Sequence, residues 1–274
     1  MPHISVFFVS DQTGVTAETM GHSLLTQFEG LDFRQTTLPF VSTVDKAEQA
    51  VRRINATAVA DGRRPIVFST LVRDDVRLVV KRSDGVFLDF FDAFLGPLEA
   101  ELAVKSSQRE GRAHGMADQA AYTTRIDATN FALAADDGAV NADYTRADVV
   151  LIGVSRSGKT PTCVYMAMHY GIFAANYPLT DDDFEHERLP PALASCSRKL
   201  FGLTIAPRRL QQIRTERRPG SRYATQQQCE YEVRTAERLF QRYGVPMLDT
   251  TECSIEEIAS RIIERQGIER RLRP

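Results

Sequence analysis

Eight short apolar runs punctuate this chain, and longer stretches with helical spacing separate most of them. They are Val6 to Val9, Phe33 to Phe40, Pro65 to Phe68 and Val86 to Phe90, then Asp148 to Ile152, Ala174 to Tyr177, Leu200 to Ile205 and Val245 to Leu248. Runs of this length with little polar alternation suit strands covered on both faces, and strands interleaved with helices make parallel sheets. The expected fold class is therefore α/β, in two α/β layers. The first intervening helix places Ala17, Met20, Leu24 and Phe28 on one face, and the next carries Ala47, Ala50, Val51 and Ile54. A further helix is expected from about Val72 to Lys81.

The rhythm breaks between about Lys105 and Tyr144, where small and polar residues surround a single helical stretch, Asp118 to Ala135, that ends in Asp136-Asp137-Gly138. This break predicts two domains, 1–140 and 141–274, the first a Rossmann-like parallel sheet. No sequence repeat relates them. Pro246 predicts an edge position for the last strand, and Ser254-Ile255-Glu256-Glu257 matches a capping box at the start of the last helix.

Charge excludes one class of partner. With 34 Lys and Arg against 36 Asp and Glu, the formal charge is -2, so the chain lacks the overall basicity that coats nucleic acid or anionic membrane. Cys163, Cys196, Cys229 and Cys253 are too far apart for a metal knuckle, and reduced thiols are expected. The start of the chain carries no basic leader, and its apolar run is far shorter than a membrane span. A soluble, cytoplasmic protein is expected.

The chemistry concentrates in Gly153-Val154-Ser155-Arg156-Ser157-Gly158-Lys159-Thr160. A glycine, four residues and Gly-Lys-Thr, between an apolar strand and a helix, form the phosphate-loop pattern and predict a P-loop kinase-like second domain. The glycines let successive backbone N–H groups and the helix N-terminus converge on a phosphate. Lys159 would reach the terminal phosphates, and the Thr160 hydroxyl would hold magnesium. Only five lysines occur in the chain, Lys46, Lys81, Lys105, Lys159 and Lys199, which raises the information in the one that completes the motif.

Other candidates are less specific. A second acidic ligand for magnesium would end another strand, and Asp249 and Asp89 are the candidates, each also readable as a polar residue closing a strand. Asp181-Asp182-Asp183 reads as a solvated helix start. Asp11, after the first strand, lies where open α/β sheets bind ligands and could accept a hydroxyl proton; capping of the next helix by Asp11 or Thr13 is the plainer reading. Arg208, Arg209, Arg214, Arg217, Arg218 and Arg222 form a cluster suited to phosphate, or else a solvated helix face. His114 and His169 read as polar or packing residues.

Taken together, these segments resemble the bacterial phosphoenolpyruvate synthase regulatory proteins, relatives of the pyruvate, phosphate dikinase regulators of plants. The resemblance is carried by Phe8-Val9-Ser10-Asp11-Gln12-Thr13-Gly14, Asp89-Phe90-Phe91-Asp92, Gly96-Pro97-Leu98-Glu99 and the loop from Gly153 to Thr160. Ala175-Asn176-Tyr177-Pro178-Leu179, Lys199-Leu200-Phe201-Gly202-Leu203-Thr204 and Arg217-Arg218-Pro219-Gly220-Ser221-Arg222-Tyr223 complete it. Gln12 stands where glycine is usual. The resemblance implies two opposed activities. One is a serine/threonine kinase that uses ADP to phosphorylate a threonine of phosphoenolpyruvate synthase and inactivate it. The other removes that phosphate with inorganic phosphate and releases pyrophosphate. It places ADP at Gly153 to Thr160. Two rivals remain: an ATP-dependent small-metabolite kinase, separable by donor preference, and a nucleotide-sensing partner protein that modifies nothing. The oligomeric state, a homodimer among the options, is open.

Overall fold

All eight apolar runs become strands in the computed structural model, which describes residues 3–107, 119–136, 143–186 and 188–272. The first unit contains β1 (Ile4–Val9), α1 (Val15–Leu25), β2 (Phe33–Leu38), α2 (Val44–Asp61), β3 (Ile66–Ser69), α3 (Asp74–Lys81), β4 (Val86–Asp89) and α4 (Phe90–Leu102). The second contains α5 (Gln119–Ala134), β5 (Val149–Gly153), α6 (Lys159–Tyr170), β6 (Ala174–Pro178), α7 (Asp181–His186), β7 (Leu200–Thr204), α8 (Pro207–Arg217), α9 (Gln226–Tyr243), β8 (Met247–Asp249) and α10 (Ile255–Gln266).

Each unit is built on a four-stranded, wholly parallel sheet, ordered β2-β1-β3-β4 in one and β6-β5-β7-β8 in the other. The two sheets share one topology although no sequence repeat announces it. In both, the first strand of the unit is internal and buried along its whole length, because helices cover both faces of a parallel sheet. β8 is an edge strand, as Pro246 requires. The loop after the first strand of each unit ends in a glycine with left-handed backbone that caps a helix, Gly14 at φ 89° and Gly158 at φ 90°.

Each sheet supports its own cores. Val9, Ile54, Val67, Leu71 and Val80 fill one face of the first, and Val6, Phe8, Phe68 and Phe90 the other. Phe8, Phe68 and Phe90 form a stack with centroid separations of 5.8 and 5.3 Å. α1 buries Ala17, Gly21 and Leu25 over that stack and leaves Leu24 and Phe28 exposed, so the expected face through Leu24 and Phe28 is displaced. Close approach decides this: a Cβ at Gly21 would lie 2.4 Å from the Phe8 ring. In the second unit, Ile152, Leu193, Leu210 and Phe240 lie in one core, and Leu151, Met166, Phe201 and Ile262 in the other.

The domain division expected at 140/141 is corrected to 117/118. α5 belongs to the second unit, where Ala128 and Ala132 enter the core with Leu151 and Met166 and the Asn176 amide donates to the Ala135 carbonyl oxygen. The capping box at α10 is half formed. Ser254 Oγ accepts from the Glu257 amide, whereas the Glu257 carboxylate pairs with Arg261. All four cysteines are free, and among the described residues no helix is long and apolar enough to cross a membrane.

Candidate functional site

The segment Gly153 to Thr160 lies at the C-terminal end of β5 and runs into the N-terminus of α6, the edge at which open α/β sheets receive ligands. β5 is flush with β7, and a Cβ at Gly153 would stand 2.3 Å from the Leu203 carbonyl oxygen, so only glycine fits. Arg156 takes a left-handed backbone at φ 78° and Gly158 another at φ 90°, which together wrap the loop. Ser157 Oγ donates to the Val154 carbonyl at 3.0 Å, and Thr250, buried beneath, donates to the Ser157 carbonyl at 3.2 Å.

Lys159 is the first residue of α6 and only 5% exposed. Its ammonium folds back inside the loop and donates to the carbonyls of Gly153 at 3.0 Å and Val154 at 2.8 Å. These bonds offset the desolvation of a buried cation. A cleft of about 270 Å³ opens beside it, lined by Ser155, Arg156, Lys159, Thr160, Ile213 and Arg217 among others. Three of those side chains are cationic and no lining residue among the described residues is acidic, and the N-terminus of α6 lies at the cleft. The arrangement suits a polyanion.

The arginine cluster divides. Arg214 is fully buried, neither a solvated nor a ligand-facing residue. Its guanidinium donates to Glu232 Oε2 at 2.6 Å and Oε1 at 3.1 Å, to the Ser155 carbonyl at 3.1 Å and to the Tyr223 carbonyl at 3.1 Å. It also stacks 4.0 Å from the Tyr223 ring, whose hydroxyl meets Ser155 Oγ at 2.9 Å. The Glu232 carboxylate holds the Arg214 guanidinium charged against the opposing effect of burial. One buried ion pair thus ties α8, α9 and the Tyr223 segment to the loop. Arg217 lines the cleft.

Thr160 has a partner that the sequence did not suggest. Its hydroxyl donates to Asp136 Oδ1 at 2.7 Å, at the end of α5. Asn176, on β6 and buried, donates through Nδ2 to the same carboxylate and to Thr160 Oγ1 at 3.3 Å. Burial raises the pKa of the Cys163 thiol one turn along α6, followed by the Asp136 charge, while Lys159 opposes both. In the sequence Asp136 reads only as a helix stop. Its signal was an acid immediately after a helix whose end reaches β6.

The other acidic candidates are occupied locally. Asp249 closes its own turn, accepting from the Thr251 amide at 2.9 Å and from the Thr251 hydroxyl at 2.5 Å. Asp89 belongs to the first unit, caps α4 through the Asp92 amide and accepts from Ser69 Oγ at 2.8 Å. Asp181, Asp182 and Asp183 open α7, the first two exposed and the third accepting from Thr180 at 2.8 Å. Asp11 lies in the first unit, 6% exposed just beyond β1. The N-cap residue of α1 is Gly14, not Asp11 or Thr13. His169 stacks on Tyr165 with centroids 4.2 Å apart, and His114 lies outside the described residues.

The chain belongs to the kinase/pyrophosphorylase family, whose model matches residues 6–263. Among individual relatives, a protein of Halorhodospira halophila is 56% identical over 268 residues, covering 97% of this chain and 98% of its own. One from Alkalilimnicola ehrlichii is 56% identical over 98% of this chain and 97% of its own, and one from Pseudomonas fluorescens SBW25 is 52% identical over 98% and 99%. All three carry the provisional name phosphoenolpyruvate synthase regulatory protein.

Proposed function

We propose that this protein is a bifunctional regulator of phosphoenolpyruvate synthase. It acts as an ADP-dependent kinase of a threonine on that enzyme and as a phosphate-dependent pyrophosphorylase that removes the same phosphate. One observation supports the nucleotide half: Lys159 is buried inside a glycine-wrapped loop, beside a cleft whose charged side chains, among the described residues, are all cationic. The family description and the names of the relatives support the target and the pairing of activities.

In the kinase direction the threonine oxygen attacks the β-phosphorus of ADP, the bridging bond to the α-phosphate breaks, and AMP departs with the electron pair. In the opposite direction an oxygen of inorganic phosphate attacks the phosphothreonine phosphorus. The bond to the threonine oxygen then breaks, that oxygen takes a proton, and pyrophosphate leaves. Both pass through a crowded, negatively charged phosphoryl group, and fixed cations stabilise such a group most where water is scarce. Lys159 supplies one such cation, and ligand phosphates would replace the loop carbonyls as its partners. Arg156 and Arg217 line the same cleft. Magnesium, when bound, would neutralise phosphate charge with Thr160 as its ligand from the loop, and a hydroxyl oxygen beside a carboxylate is a donor set that suits a hard cation. Asp11, a buried carboxylate just beyond β1, is the candidate for taking the threonine proton; a reduced kinase rate is expected in Asp11→Asn, and a full rate would remove it from that role.

The test is incubation with ADP and purified phosphoenolpyruvate synthase, followed by mapping of the phosphosite. One phosphothreonine per modified target and stoichiometric AMP are expected; use of ATP instead, or binding without modification, would sink the reading. Lys159→Ala should lower both activities at least about a hundredfold. A variant that loses the kinase while keeping the full phosphate-dependent rate would show that the two reactions use separate sites.

A further inference from the structure

Phosphate-loop enzymes pair the loop hydroxyl with a carboxylate that anchors magnesium, and that carboxylate ordinarily ends a neighbouring strand. Here neither neighbour of β5 ends in an acid. β6 ends in Pro178, and β7 ends in Thr204, whose hydroxyl is given to Glu237 at 2.6 Å. Asp249, one strand further out, is committed to its own turn. The carboxylate that touches the loop hydroxyl comes from outside the sheet.

We propose that Asp136, carried to the loop by the end of α5, is the magnesium-positioning acid of this site, acting through Thr160 on a magnesium-bound nucleoside diphosphate. Three observations carry this. First, Thr160 spends its only proton on Asp136 Oδ1, and with one lone pair accepting from Asn176 Nδ2 it keeps the other for a cation. Thr160 itself lines the cleft, whereas Asp136 does not, so the acid stands behind the ligand and sets its orientation. Second, Asn176 is 1% exposed, bridges Asp136 and Thr160 through Nδ2, and has an Oδ1 without a hydrogen-bond partner among the described residues. A buried amide oxygen left without a donor is costly in a network that serves only packing, and a hydrated cation beside the cluster would satisfy it. Third, the placement of Asp136 is built into the sheet, since the Asn176 amide donates to the Ala135 carbonyl at 3.2 Å. The inference rests on the nucleotide reading of the loop given above.

Equilibrium binding of a fluorescent ADP analogue, with and without magnesium, tests it. In the wild type magnesium should tighten binding at least tenfold. In Asp136→Asn that gain should fall to less than about twofold. Without magnesium the same variant should bind ADP at least as tightly as the wild type, because one negative charge near the phosphates is gone. A merely structural role would weaken both conditions together, and that outcome, or an undiminished magnesium gain, overturns the proposal. If the wild type binds no ADP under either condition, the nucleotide reading falls, and this proposal with it. A second measurement needs no variant. Ferrous iron substituted for magnesium, in the presence of ADP, ascorbate and peroxide, should cut the wild-type backbone around both Thr160 and Asp136; cutting around Thr160 alone would overturn the proposal.

Discussion

An added methyl group at Gly153 would lie 2.3 Å from a backbone oxygen of β7, and neither partner has a flexible end that can yield. Gly153→Ala must separate β5 from β7 or distort the loop that follows. Overpacking costs about 1–3 kcal/mol, and the upper end applies where the clash is with backbone. Urea denaturation should show this loss with an unchanged slope; a loss below ~0.5 kcal/mol would mean that the strand-to-loop junction is softer than its geometry. Lys159 and Gly153 were both legible in the sequence because a short motif specifies them locally. Asp136 was not, since its role depends on where the end of α5 docks. Arg214 was not either. It stands among five similar arginines, and only the packing of Glu232 and Tyr223 around it separates a buried clamp from a surface charge.

That clamp makes α8, α9 and the loop a single mechanical element. Arg214→Met would leave the Glu232 carboxylate 8% exposed and without its cation, and breaking a buried pair this way costs about 3–5 kcal/mol. Replacing both, as Arg214→Met with Glu232→Leu, removes the stranded charge and should recover most of the lost stability. ADP affinity should remain impaired in the double variant, because the Ser155 carbonyl has still lost its guanidinium. Urea melts read the first effect and nucleotide titration the second. Full recovery of both would show that the clamp has no bearing on the loop. The helix faces follow the same logic. The sequence period of α1 runs through Leu24 and Phe28, but the close seat of Gly21 on Phe8 turns the buried stripe to Ala17, Gly21 and Leu25.

Two sheets with one strand order, each with cores on both faces, make the molecule a pair of similar frames with different loops. The boundary between them is testable. A fragment of residues 118–274 keeps α5, and with it Ala128 and Ala132 in the core and Asp136 at Thr160. It should unfold cooperatively and bind ADP. A fragment of residues 141–274 lacks that helix, exposes the apolar positions of α6 and β6 that α5 covers, and should be insoluble or lose its near-ultraviolet circular dichroism. Equal stability of the two would return the boundary to the position that composition suggested.

Strand identity, fold class and the phosphate-loop motif were determined by the sequence alone, because each depends on interactions within a few residues: apolar runs, helical spacing, glycine backbone freedom and one lysine. The tertiary structure decided what those interactions leave open. It assigned α5 to the second unit, turned α1, buried one arginine of six and brought Asp136 to Thr160 across 24 residues of chain. Each of these is a matter of which surfaces meet, and desolvation and packing at a contact belong to both partners at once, so neither segment encodes the result by itself.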